Sequence, residues 1–127
     1  MEIIAIPSHR KGGLNEKIHP KFGRCDCFTF ITLDGNEIKQ VSVIENSAAE
    51  EQSGRGKQAA QIIKSYGAEK LIARELGPNA SVSINSLEIK VYQGPNEDMT
   101  LKEVIKLYVN GELKLVGSED LTKGVLN

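Results

Sequence analysis

The chain contains no tryptophan, and aromatic residues make up only 5% of it. It has two cysteines, too few for a disulfide scaffold. They stand at Cys25 and Cys27, separated by one residue, and a bridge across so short a loop is strained. Both are expected as free thiols. Charge of one sign is also missing: Lys+Arg number 16 and Asp+Glu 17, a formal net charge of −1. A nucleic-acid or anionic-membrane partner usually demands a basic excess, so neither is expected. No apolar run approaches the roughly 20 residues needed to span a bilayer. The opening Met1-Glu2-Ile3-Ile4-Ala5-Ile6-Pro7 lacks the basic lead and long apolar stretch of a secretory signal, so a cytoplasmic protein is expected. What is present, 127 residues with 39% hydrophobic and 26% charged, fits a single globular domain.

Ile3 to Ile6 is a continuous apolar run ended by Pro7, the pattern of a strand buried on both faces. Ser8 to Pro20 is polar and reads as a long loop. Cys27 to Leu33 is rich in aromatic and β-branched residues, a second strand, and Asp34-Gly35-Asn36 is a hairpin turn into a polar third strand, Glu37 to Ile44. Ala59, Ile62, Ile63 and Tyr66 form the stripe of an amphipathic helix that Gly67 ends. Lys70 to Ala73 is a short inner strand. Gly77-Pro78-Asn79 starts a second helix reaching about Leu87, and Ile89 with Val91 marks an edge strand. Thr100 caps a third helix with the stripe Leu101, Val104, Ile105 and Tyr108. Residues 115–127 are taken as a tail appended to a domain of residues 1–114.

The two hairpin-joined strands make an antiparallel meander, and the crossover helices make the later strands parallel. Placing the most apolar strands centrally gives the sheet order 3-2-1-4-5, with only strand 2 antiparallel and helices on both faces. That is a ribonuclease H-like arrangement of the α/β class. Five segments then converge on the carboxyl edge of the sheet, where open α/β sheets bind ligands. They are Ser8–Pro20, Lys21–Cys27, Glu45–Gly56, Glu75–Asn79 and Gln93–Met99.

The residues of these segments define the candidates. Phe22 can anchor the first loop, Gly23 permits a turn, and Arg24 can hold an anion. Gly54-Arg55-Gly56-Lys57 opens a helix, whose free N–H groups and adjacent cations favour an anionic ligand. It is not a Walker A loop, because Glu51 and Gln58 stand where that motif needs glycine and Ser or Thr. Gly77-Pro78-Asn79 is a second helix start of the same kind. Cys25 and Cys27 with His19 offer three metal ligands, and His9 a fourth. If both cysteines lie in the strand, they share one face. Catalysis has little support: strand 1 offers only Glu2, and strand 4 only Glu69 and Glu75, to the carboxylate cluster of a two-metal nuclease. A thiol enzyme acting through Cys25 or Cys27 is the remaining enzymatic reading.

Several segments, in order, resemble the dinitrogenase iron–molybdenum cofactor-binding family, the nitrogenase accessory factor-like proteins, over roughly residues 1 to 114. They are Ile6-Pro7-Ser8, His19-Pro20-Lys21-Phe22-Gly23-Arg24, Leu33-Asp34-Gly35, Gly54 to Ala60, Leu76 to Ala80, Val91-Tyr92-Gln93-Gly94 and Gly111-Glu112-Leu113. The resemblance implies the ribonuclease H-like fold and a binding module rather than an enzyme. Its implied ligand is an iron–molybdenum-cofactor-like or iron–sulfur cluster, with Ser8 joining the ligand-binding residues. The chain departs from the family pattern at Lys21, at Cys25-Asp26-Cys27, and at Arg74-Glu75. The leading expectation is a small carrier of such a metallocofactor. Its rival is a metal-free interaction or regulatory domain that binds a protein or a small anion at the same sheet edge. Two polar edge strands allow a monomer or a homodimer.

Overall fold

The structure is a computed structural model, and it describes residues 1–122. Its five strands are β1 (Glu2–Ser8), β2 (Cys27–Asp34), β3 (Glu37–Glu45), β4 (Lys70–Ala73) and β5 (Lys90–Gln93). They form one mixed sheet in the order β3-β2-β1-β4-β5. β1 pairs antiparallel with β2 and parallel with β4, and β4 pairs parallel with β5. The expected order and strand directions are therefore present.

Helices cover both faces. On one, α1 (Arg55–Ser65) and α2 (Pro78–Ser86) pack Ala59, Ile63, Ala80 and Ile84 against Ala5, Phe28, Phe30 and Leu71. On the other, α3 (Leu101–Val109) packs Leu101, Val104 and Ile105 against Ile4, Ile6, Ile31 and Ile72. β1 feeds both layers by alternation, Ala5 to one and its neighbours Ile4 and Ile6 to the other. This two-sided demand is why an unbroken apolar run is needed there. α3 begins in a complete capping box: the Glu103 N–H donates to the Thr100 hydroxyl, and the Glu103 carboxylate accepts from the Thr100 N–H.

The loop after β1 is tied down along its length. Ile18 is fully buried, its N–H donates to the Met99 carbonyl at 2.9 Å, and the His19 N–H donates to the Pro7 carbonyl at 2.9 Å. At the opposite end of the sheet, the Lys70 ammonium donates to the Tyr108 hydroxyl at 2.7 Å and to Glu2 at 3.2 Å, while the Tyr108 hydroxyl donates to Glu2. Burial opposes the charge on Lys70, but these hydrogen bonds outweigh it and lift its pKa to about 12.

Residues beyond 113 return to the domain. The Gln93 N–H donates to the Lys114 carbonyl and the Val116 N–H to the Val91 carbonyl, each at 2.8 Å, so this segment lines the outer edge of β5. A short helix, α4 (Ser118–Thr122), then buries Leu121 in the core layer of α1 and α2. The rest of the expected tail, 123–127, lies outside the described residues. Replacing Leu121 by Ala should therefore cost about 2 to 5 kcal/mol of stability, as for other buried leucines. Chemical denaturation measures this, and an unchanged midpoint would show that the α4 contact contributes nothing.

Candidate functional site

The loop from Lys21 to Arg24 and the amino ends of α1 and α2 meet around an open cleft of about 730 Å³. Its lining includes Phe22, Gly23, Arg24, Gly54, Gly56, Gly77, Pro78 and Asn79, and thus eight of the ten residues expected to bind a ligand. Glycine makes this convergence possible. A Cβ on Gly56 would lie 2.7 Å from the Ala80 Cβ and 3.0 Å from the Ala80 backbone, so no larger residue fits without parting the helix starts. A Cβ on Gly23 would come within 3.3 Å of Arg55. Gly54, the residue before α1, adopts φ 73°, a left-handed conformation that glycine takes without strain.

Neither α1 nor α2 has a side-chain cap at its amino end, in contrast to the full box on α3. The first N–H groups of a helix have no partner within it. Two such ends open on one cleft, and each carries the positive pole of its helix dipole. Arg24 and Arg55 add guanidinium groups to the lining. Lys21 also lines the cleft, but its ammonium is committed to Glu75 at 2.8 Å. Both partners are about half exposed (55% and 41%), so this ion pair adds little stability and serves mainly to join two walls. Together these groups can accept a compact anion.

Two expected residues fall outside the cleft. Ser8 is fully buried, its hydroxyl shared among the Cys27 carbonyl, the Cys27 thiol and the Thr29 hydroxyl, so it braces β1 against β2. Lys57 is exposed and lines no part of the cleft, where Arg55 stands instead. The two residues are about 200° apart around the helix, so only one can face the ligand. The alternation Gly-Arg-Gly-Lys identifies the helix start but not its rotational phase.

The structure does not bring His19, Cys25 and Cys27 together as metal ligands. Among the described residues, no three His, Cys, Asp or Glu side chains form a group able to hold a metal ion. The condition for the cysteines to share a strand face is not met, because Cys25 precedes β2 rather than lying in it. Its thiol is in the core beside Phe22 and Ala48, donating to the Phe22 carbonyl at 3.3 Å. The Asn46 side chain holds the Cys25 carbonyl at 3.0 Å and the Gly23 carbonyl at 3.2 Å, fixing this corner of the cleft. Cys27 is buried near the Arg10 carbonyl and beneath Gly12. Burial pushes the Cys25 thiol up to about 12 and raises Cys27 as well. His19 accepts the Lys21 N–H on Nδ1 at 2.9 Å and lies against His9, ring centroids 4.3 Å apart. Burial, with the neighbouring His9, lowers its pKa.

These features define an open α/β protein with a polar cleft at the carboxyl edge of its sheet, walled by two uncapped helix starts. Residues 2–111 match the dinitrogenase iron–molybdenum cofactor family, and the chain belongs to that family. It is 33% identical over 100 residues to an uncharacterized protein of Methanocaldococcus jannaschii, covering 79% of this chain and 83% of that one. Among solved structures it is similar to the apo form of the orange protein from Desulfovibrio gigas, with TM-score 0.81 and 26% identity over 91% of this chain and 93% of that one. A Thermotoga protein solved by NMR gives TM-score 0.74 and 31% identity, with the same coverage. No helix among the described residues is long and apolar enough to cross a membrane.

The thiol environment has a measurable consequence. In the unfolded chain a thiol ionises near its ordinary value of 9.0, while folded Cys25 holds its proton to about 12. The folded-state pKa is the higher one, so Cys25 contributes its stability fully below pH 9 and loses it as pH rises toward 12. Native protein at neutral pH should resist iodoacetamide at both cysteines and become alkylated on unfolding, as mass spectrometry of the tryptic peptides would show. Rapid alkylation of Cys25 in native protein would contradict this burial.

Proposed function

We propose that the chain is a small carrier that holds a compact anionic metal–sulfur cluster, of the iron–molybdenum-cofactor or iron–sulfur kind, as cargo in the cleft between α1 and α2. The observation that carries this reading is the pair of uncapped helix starts facing one glycine-walled cleft with Arg24 and Arg55 on its rim. Membership of the dinitrogenase iron–molybdenum cofactor family supports the class of cargo. A solved neighbour in an apo form is consistent with a removable ligand. The sheet order, with one antiparallel strand and helices on both faces, supports the ribonuclease H-like reading of the fold. Two free cysteines suit a reducing cytoplasm.

Retention in this reading is electrostatic. Backbone N–H groups and guanidinium groups hold the sulfur and oxygen atoms of the cargo through charge-assisted hydrogen bonds. Thiolate bonds from Cys25 and Cys27 are not part of this reading, because both side chains are buried and neither lines the cleft. Such a grip is reversible and suits transfer rather than permanent storage.

The test is uptake without oxygen. Apo-protein is offered isolated iron–molybdenum cofactor, and separately an iron–sulfur donor, and charge-transfer absorption is recorded after gel filtration. Wild type and the Cys25→Ser, Cys27→Ser variant should acquire equal absorption, while Arg24→Ala with Arg55→Ala should lose at least tenfold in affinity, about 1.4 kcal/mol. No absorption in wild type, combined with phosphate stabilisation that the double arginine variant lacks, would assign the cleft to a small anion instead.

A further inference from the structure

The sheet ends differently at its two edges. At β5 the chain covers its own edge with residues 114–116. At β3, nine residues long, the outer edge pairs with nothing among the described residues. An open edge of this length invites another strand and is usually blunted. This one carries apolar surface: Ile38, Val41 and Val43 are 38%, 36% and 39% exposed. Val41, Val43 and Glu45 stand opposite Ile31, Thr29 and Cys27 of β2, so all three lie on one face of the sheet.

We propose that this edge pairs antiparallel with β3 of a second copy of the chain, about a two-fold axis beside Ser42, joining the two sheets into one. The register follows from the pleat. Directly opposed residues must face the same side, so a two-fold perpendicular to the sheet passes beside a residue that meets its own copy. An axis beside Lys39 falls in the register shift between β2 and β3, where regular pairing stops. Axes beside Gln40 or Val41 set Lys39 against valine, and axes beside Val43 or Ile44 set Glu45 against valine. Beside Ser42, Val41 meets the partner's Val43 and Lys39 meets the partner's Glu45, and symmetry repeats each pair. Apolar and opposite-charge pairs across strands are the favourable ones.

Lys39 is suited to this role. The register shift between Thr32 and Leu33 leaves it without an opposite residue on β2, while 40–45 stay regular. Its ammonium lies 3.5 Å from Glu37, and both side chains are exposed, so the contact is weak and free to exchange for the partner's Glu45. A lysine on an open edge deters unrelated strands. Against a glutamate in one register only, it selects a copy of the same strand.

Charge exchange tests the register, using exposed residues that the fold does not need. Sedimentation equilibrium over a concentration series should show wild type reaching a dimer. Lys39→Glu alone and Glu45→Lys alone should each remain monomeric. Mixing the two single variants should restore a dimer, because each glutamate then meets a lysine, and the double exchange K39E/E45K in one chain should restore it too. Monomeric wild type at every concentration overturns the proposal, as does a single variant that still dimerises or a mixture that does not.

Discussion

Everything else in the molecule is arranged around β1. It lies between β2 and β4, antiparallel to one and parallel to the other, with Ile4, Ala5 and Ile6 fully buried. Because β4 and β5 run parallel to it, the segments that leave these strands emerge at one edge, where the hairpin strand β2 begins. Binding groups from loops far apart in sequence thus share a few ångströms of space. The hydrophobic effect acting on one short strand fixes the end of the molecule at which the candidate site forms.

At that end the decisive contact is between backbones. Gly56 and Ala80 hold two helix starts closer than side chains permit. Each start leaves its N–H groups without a side-chain cap, a cost that an isolated helix relieves with Ser, Thr, Asp or Asn. Here the residues preceding the helices are Gly54 and Gly77, which offer no side-chain oxygen. Stability given up at two helix ends becomes capacity to hold an anion. The cations on the rim add attraction, and the Lys21–Glu75 pair joins the loop before β2 to the start of α2 without neutralising the arginines.

Much of this was legible in the sequence, because it depends on local pattern. The apolar run of β1, the Asp34-Gly35-Asn36 turn and the stripes of α1 and α3 determine element type, and burial preference then orders the strands. The glycine-bearing helix starts were legible for the same reason. What the sequence concealed depends on phase or on distant partners. Whether Arg55 or Lys57 faces the cleft is a matter of helix rotation. The separation of Cys25 from Cys27 depends on where β2 begins and on Asn46, which holds the Cys25 and Gly23 carbonyls from across the corner. Residues 114–122 carry too weak a period to reveal that they cover β5 and bury Leu121.

The two ends of the sheet differ in how their polar groups are satisfied, and this difference makes a carrier feasible. At the amino ends of β1 and β4, Glu2, Lys70 and Tyr108 bond to one another, and Tyr92 packs edge-on against Tyr108 with ring centroids 5.1 Å apart. This network ties β1, β4, β5 and α3 together. At the carboxyl ends, Lys21 is paired with Glu75, but the starts of α1 and α2 have no side-chain cap. The nearby thiols of Cys25 and Cys27 are buried in the interior and line no part of this cleft. A site built this way binds through charge and N–H donors, interactions that strengthen when water is excluded and weaken when it returns. In the proposed carrier, release needs only hydration of the cleft.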